Sequence, residues 1–311
     1  MAVADKGLRP PFAARLRART REALAGYGFI SPWLLGFMIF VLGPMISSAF
    51  LSFTNYDVLN PPEWVGVENY STLLLRDPLF WKSLYNTIYI TVLGVPIEIL
   101  LGLSIALLLN MNVKGLAFYR LVYYLPSIMP IVASSILWIW ILNPHFGLLN
   151  ALLALVGIKG PMWIGSEVWS KPSIILMQAW RSGANMIIYL AGLKGIPEQL
   201  YEAASIDGAT PWRRFLHITI PMLTPTLLFT TIMGIINSFQ IFAQAYVMTA
   251  GGPADSTLFA VYYLFNNAFA YFKMGYASAL AWILFFIILV VTLLQLKLAP
   301  MWVHYEAEVK R

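Results

Sequence analysis

Six stretches of this sequence are apolar over the length that a lipid bilayer imposes, and that repetition limits the possible folds more than any other feature. Drawn at about 20 residues each, as a hydrocarbon core of roughly 30 Å demands, they fall near residues 29–52, 85–109, 118–142, 173–193, 218–243 and 275–297. Between lipid tails a backbone must satisfy its own hydrogen bonds, so segments of this kind fold as helices. Composition agrees. With 59% hydrophobic residues, 11% charged and a mean hydropathy of +0.73, the chain has too little polar surface to clothe a water-soluble globule of 311 residues. The expected class is an all-α membrane protein with six transmembrane helices. Cysteine is absent, which excludes disulfides, thiolate metal sites and cysteine nucleophiles.

The basic residues orient this bundle. Residues 1–28 form a basic tail with Lys6, Arg9, Arg15, Arg17, Arg19 and Arg21 ahead of any apolar run. A cleaved signal peptide would need the first apolar stretch as its core, and that stretch is too long and lacks a small-residue cleavage site, so the tail is expected to be retained. With the N-terminus inside, the tails and inner links hold fourteen of the 20 basic residues: the six above, Lys114, Arg120, Lys194, Arg213, Arg214, Lys297, Lys310 and Arg311. The opposite side holds Arg76, Lys82, Lys159, Lys171 and Lys273, and Arg181 lies within a span. An excess of Lys and Arg in cytoplasmic segments is the rule for membrane proteins, so both termini are expected in the cytoplasm. The same distribution argues against nucleic acid as a partner, since no basic patch interleaved with aromatics exists. The division is then a tail at 1–28, a six-span domain at 29–298 and a second tail at 299–311. Outer loops near 53–84, 143–172 and 244–274 carry Trp64, Trp163 and Trp169, consistent with interfacial aromatics.

One inner link differs from the others. From Glu202 to Pro225 the chain reads EAASIDGATPWRRFLHITIPMLTP, a charged, helix-compatible island between two apolar spans. Pro197 fits the first turn of a short helix, Ala203 and Ala204 keep one face small, and Gly208 supplies a left-handed stop. Thr210 as N-cap and Pro211 at the first helical position then restart a helix. The segment 197–217 is therefore expected as helix, sharp turn, helix, with Glu202 and Asp207 exposed near the bend, a protrusion shaped to enter a groove.

The order E-A-A, D-G-A and I-x-I-P in this island resembles the EAA loop of ATP-binding cassette (ABC) importer permeases, the element that inserts into the ATPase subunit. Val65-Gly66-Val67-Glu68-Asn69-Tyr70, Tyr124-Leu125-Pro126-Ser127, Asn143-Pro144 with Phe146-Gly147-Leu148-Leu149-Asn150, Gly251-Gly252-Pro253 and Met274-Gly275-Tyr276-Ala277-Ser278-Ala279 resemble the carbohydrate branch of that family, the maltose and glycerol-3-phosphate type with a MetI-like core. The resemblance runs from about Phe29 to Leu298. It implies a type I importer permease in a bacterial or archaeal cell membrane. Its implied partners are a second homologous permease, an ATPase dimer, an extracytoplasmic sugar-binding protein and membrane lipid, with a sugar as cargo. Coupling residues on this reading are Glu202, Ala203, Ala204, Asp207 and Gly208. It also implies substrate contacts from the helices before and after the EAA loop, at positions that fall here near Arg181 and Ala184, and near Gly234, Asn237, Ser238 and Ile241.

Polar residues inside apolar spans are the other candidates, because an unpaired charge at bilayer depth costs about 2.5–3.5 kcal/mol on insertion scales. Arg181 has Gln178 three residues before it and Asn185 four after, which on one continuous helix stacks all three on a face turned to protein or water. A substrate cavity fits, and so does snorkelling or pairing with a carboxylate. In the fifth span Asn237, Gln240 and Gln244 form an expected stripe of amides beside Ser238, able to donate to and accept from sugar hydroxyls. Phe239 and Phe242 are near enough to stack on a ring. Interhelical hydrogen bonding is the competing use of such amides. Glu98, beside Pro96, is either a buried functional charge or part of a kink.

Enzymatic chemistry has no anchor. His145, His217 and His304 are scattered without metal-ligand spacing, no phosphate-binding G-x-x-x-x-G-K-[ST] exists, and no nucleophile and base can be paired, so neither catalytic residues, metal nor cofactor are expected. Energy would come from a partner. The rival reading is an ion-coupled secondary transporter, which needs an embedded carboxylate relay; Glu98 is its one candidate, and it leaves the cytoplasmic protrusion unexplained.

Overall fold

The computed structural model describes residues 12–111 and 114–304; Lys6, Arg9, Lys310 and Arg311 lie outside these. Helices α1 (Phe12–Phe37) and α2 (Gly43–Leu51) are joined by a π-helical turn at Met38–Leu42. Strands β1 (Thr54–Asn55) and β2 (Glu63–Trp64) then pair antiparallel, with Thr54 opposite Trp64. Next come α3 (Glu68–Leu75), α4 (Pro78–Asn110), α5 (Leu116–Ile128), α6 (Ile131–Ile141), α7 (Leu148–Leu155), α8 (Ser170–Trp180) and α9 (Gly183–Lys194). The rest is α10 (Glu198–Ile206), α11 (Pro211–Arg214), α12 (Ile220–Phe239), α13 (Ala243–Met248), α14 (Ala260–Phe265) and α15 (Met274–Leu298). A second π-helical turn, Phe215–Thr219, joins α11 to α12.

Among the described residues, four continuous helical stretches are long and apolar enough to cross a membrane: Arg21–Leu51, Pro78–Asn110, Pro211–Phe239 and Met274–Met301. The two remaining apolar segments are each interrupted, so the described residues hold four unbroken spans where six are expected. Residues 118–142 fold as α5 and α6, bent by 100° at Met129–Pro130, and counting that pair as one span gives five. The cause is local. Met129 is extended with ψ 139, as a residue before proline prefers, and Pro130 cannot donate an N–H to continue α5. Pro126, which reads as a kink in the sequence, sits inside α5 without ending it. Residues 173–193 are parted at Arg181 and Ser182 into α8 and α9.

Helix α4 is the axis. Its N-terminus is set by Asp77, whose carboxylate accepts from the N–H groups of Leu79 at 2.9 Å and Phe80 at 3.2 Å, followed by Pro78 at the first helical position. Along its length it packs against α8, α9 and α12. Toward its start the buried cluster includes Phe80, Ile90, Ile174, Met177, Phe259 and Leu280; toward its end a second cluster joins Leu103, Leu109, Tyr189, Leu193, Ile196 and Leu223. The most apolar window of Arg21–Leu51, by contrast, has no buried residue.

Two of the family-like motifs meet beside the start of α4. Asn69 donates from Nδ2 to the carbonyls of Ser52 at 3.0 Å and Thr54 at 2.9 Å, Tyr70 donates to Ser52 Oγ at 2.7 Å, and the N–H of Gly275 donates to Tyr56 O at 3.1 Å. The hydroxyls of Tyr263 and Tyr276 both donate to Asp77, tying α14 and α15 to α4. Of the three loop tryptophans expected at an interface, Trp64 is 65% exposed and Trp169 43%. Trp163 is buried, donating from Nε1 to Asn150 Oδ1 at 2.7 Å and joining the main buried cluster.

Candidate functional site

The island between the fourth and fifth apolar segments folds as a protrusion with a fixed base and a free tip. Pro197 is the N-cap of α10 rather than a first-turn residue, with its ψ at 130. At the other end Gly208 adopts φ +75, Ala209 N–H donates to Ala204 O at 2.8 Å and Gly208 N–H to Ser205 O at 3.1 Å, the two bonds of a left-handed helix stop. Thr210 Oγ1 accepts from Arg213 N–H at 3.4 Å and Pro211 opens α11. Glu202, Ala203, Asp207 and Gly208 are exposed around the bend, and Ala204 is half-buried. Tyr201 packs on the cluster around Leu193 and pairs its hydroxyl with Thr219 Oγ1 at 2.9 Å, while Arg214 donates to Ser205 Oγ at 2.9 Å. These contacts make the protrusion one piece with the start of α12.

A cavity of about 430 Å³ lies within the bundle, lined by Glu98, Ser127, Ile131, Gln178, Arg181, Ala184, Asn185, Met233, Gly234, Asn237, Ser238 and Gln244. It forms where three helices are interrupted: α5 from α6, α8 from α9, and α12 from α13, the last at Gln240–Phe242. Irregular backbone at membrane depth is tolerated where it is buried in protein or borders a wet cavity. Gln178, Arg181 and Asn185 reach this space together, but across a helix break instead of along one helical face. The amide stripe of the fifth span is likewise corrected. Helix α12 ends at Phe239, so Asn237 and Gln244 border the cavity from opposite sides of the interruption, whereas Gln240 is exposed and does not line it. Phe242 stacks on Tyr246 at 5.4 Å and packs with Phe265 at 4.9 Å, which commits its ring to the neighbouring core.

Arg181 is engaged with the chain itself. Its guanidinium donates to Met129 O at 2.9 Å, Ser134 Oγ at 2.7 Å and Ser127 O at 3.3 Å. The side-chain oxygen Oε1 of Gln178, in contrast, is buried with no hydrogen-bond partner among the described residues. Glu98 and Ser127 were not assigned to the cavity from sequence, and Glu98 gave the stronger signal, as a charge within an apolar span.

Comparison with known proteins fits this architecture. The chain is 43% identical over 296 residues to the probable ABC transporter permease protein YesP of Bacillus subtilis (strain 168), covering 94% of this chain and 96% of that protein. It is 33% identical over 272 residues to the sulfoquinovosyl glycerol transport system permease protein SmoG of Agrobacterium fabrum (strain C58 / ATCC 33970), covering 86% and 88%. The crystal structure of a bacterial alginate ABC transporter in complex with an alginate pentasaccharide-bound periplasmic protein contains a chain of the same fold, with TM-score 0.78 and 23% identity over 92% of this chain and 97% of that one. Residues 98–303 match the family described as binding-protein-dependent transport system inner membrane component. By that match and by its identity with YesP along nearly its whole length, the chain belongs to this family of inner membrane transport components.

Proposed function

We propose that this chain is the permease subunit of a binding-protein-dependent ABC importer for a sugar or oligosaccharide. It would form half of a heterodimeric pore with a homologous permease, served by an ATPase dimer and an extracytoplasmic sugar-binding protein. The observation that carries this reading is the polar cavity at three helix interruptions, connected through α9 and α12 to an exposed acidic protrusion. The family assignment decides against the ion-coupled carrier considered from sequence. The name of SmoG supports a glycoside as cargo. On this reading the core spans 29–298, the protrusion at 197–217 and both termini face the cytoplasm, and the tails at 1–28 and 299–311 flank the core.

Glu202, Ala203, Ala204, Asp207 and Gly208 meet the ATPase, and Asn185, Asn237, Ser238 and Gln244, with Gln178 and Glu98, face the sugar. Amide and carboxylate groups suit this role because sugar hydroxyls both donate and accept. A closing ATPase dimer moves the protrusion, and with it α9 and α12, so that the cavity opens alternately to each side. The energy comes from contacts that differ between the two ATPase states, since equal contacts shift nothing. Reconstitution with the three partners tests the proposal: ATP hydrolysis stimulated by a loaded binding protein is expected, and uptake driven by a proton or sodium gradient without ATP would overturn it.

A further inference from the structure

An arginine at membrane depth needs partners, and those of Arg181 reveal what it is for. Helix α5 ends at a 100° bend, which strips its last carbonyls of helical donors, and Pro130 has no N–H to offer. Arg181 supplies the missing donors: one guanidinium nitrogen reaches Met129 O and Ser134 Oγ, the other Ser127 O. Its own N–H closes on Gln178 O at 2.9 Å, so the residue also terminates α8. The guanidinium is thus held at the C-terminal end of α5, whose partial negative charge favours it.

The two interruptions also touch directly. A Cβ on Gly183 would overlap the carbonyl of Tyr123, so the start of α9 lies against the backbone of α5 with no room for a side chain. All three hydrogen bonds from the Arg181 guanidinium go to the α5–α6 bend and none to another cavity-lining side chain except through that bend.

We propose that Arg181 is a positioning residue rather than a substrate contact: it clasps the α5–α6 bend to the α8–α9 break so that the two move as one body when the protrusion is driven. The proposal rests on the reading of the cavity as the sugar chamber. It gives that chamber a wall that turns as a unit, with an arginine at its pivot.

The test uses the whole reconstituted importer with Arg181→Met, Arg181→Lys and, in parallel, Asn237→Leu, each normalised to assembled complex. For Arg181→Met the maximal uptake rate is expected to fall about tenfold or more, the factor that one hydrogen bond to a charged group is worth, with KM for the sugar unchanged within about twofold. More ATP would be consumed per sugar moved. Arg181→Lys keeps the charge and reaches fewer acceptors, so it should recover part of the rate. A rise in KM with the maximal rate preserved would show that Arg181 touches substrate and would overturn the proposal. So would normal uptake per complex in both arginine variants, which is what a purely structural role in assembly gives. If Arg181→Met does not assemble, Arg181→Lys alone decides by the same split between rate and KM. Asn237→Leu separates the underlying reading: should it leave KM unaltered, the chamber assignment fails, whatever the arginine variants do.

Discussion

Replacing Gly208 gives the most direct access to the coupling step, because the structure isolates its cost. Gly208 sits at φ +75 with nothing within 4 Å of where a Cβ would be placed, so Gly208→Ala adds no clash within this chain and penalises the left-handed backbone. That penalty is about 1–2 kcal/mol, equivalent to a factor of roughly 5–30 in the population of the native turn. The turn fixes the angle at which Glu202 and Asp207 are presented, so sugar-stimulated ATP hydrolysis per assembled complex is expected to drop by up to that factor. Gly208→Asn should retain more activity, since asparagine tolerates the left-handed region best among the other residues. Gly157 provides an internal control: its φ is +76 and it too has nothing within 4 Å, but it lies in the loop after α7, far along the chain from the protrusion. Gly157→Ala carries the same local penalty and should leave coupling intact. The assay is uptake and ATP hydrolysis in proteoliposomes containing the complete importer. Equal behaviour of Gly208→Ala and Gly157→Ala would refute the idea that the stop after α10 is mechanically important.

Other substitutions probe other parts of the molecule. Glu202→Lys, at an exposed position on α10, should insert and assemble normally but abolish stimulation of the ATPase, and wild-type uptake would contradict a docking role. Gly183→Ala should reduce the amount of folded protein recovered in detergent, because the added methyl meets the Tyr123 carbonyl; full recovery would mean that α5 and α9 separate easily. Tyr276→Phe removes one of the two phenol donors to Asp77 and should lower thermal stability by about 1.5–3 kcal/mol, measured by melting of the purified protein. Burial and the Asp77 carboxylate push the Tyr263 phenol up to about 12. The folded protein therefore holds that proton after an unfolded chain has lost it, and stability should decline from about pH 10 upward, with Tyr263→Phe showing a shallower decline.

The sequence made the protrusion legible almost residue by residue, because its geometry follows from local chemistry. A glycine after an alanine-rich turn and a Thr-Pro pair define a stop and a start without help from elsewhere. The cavity was legible in composition but not in form. Arg181 and Asn237 stand out as polar groups among apolar ones, yet periodicity placed them on uninterrupted helices. The α5–α6 break has a local cause at Pro130, but Pro126 four residues earlier sits within α5 without ending it, so a proline in an apolar stretch does not by itself mark a break. The α8–α9 break has no proline at all; beside it Gly183 meets a carbonyl some sixty positions earlier in the chain, a long-range contact that no window of residues contains. The helical spacing that aligned Gln240 with Asn237 ends at Phe239, and Gln240 does not line the cavity.

Helix α4 runs for 33 residues, close to 50 Å at about 1.5 Å per residue, well beyond the roughly 30 Å of hydrocarbon it crosses. Its capped end is fastened to the loop near Asp255 and Leu258 through Asn86, and its far end is packed beside Ile196, at the root of the protrusion. Swung as a rod about its middle, where Pro96 removes one backbone hydrogen bond, a helix of that length moves each tip by roughly 2 Å in opposite senses for a turn of about 5°. An event felt at the end beside the protrusion is thereby announced at the capped end with no relay of intermediate steps, and the stiffness of the backbone around Pro96 sets how faithfully the message arrives.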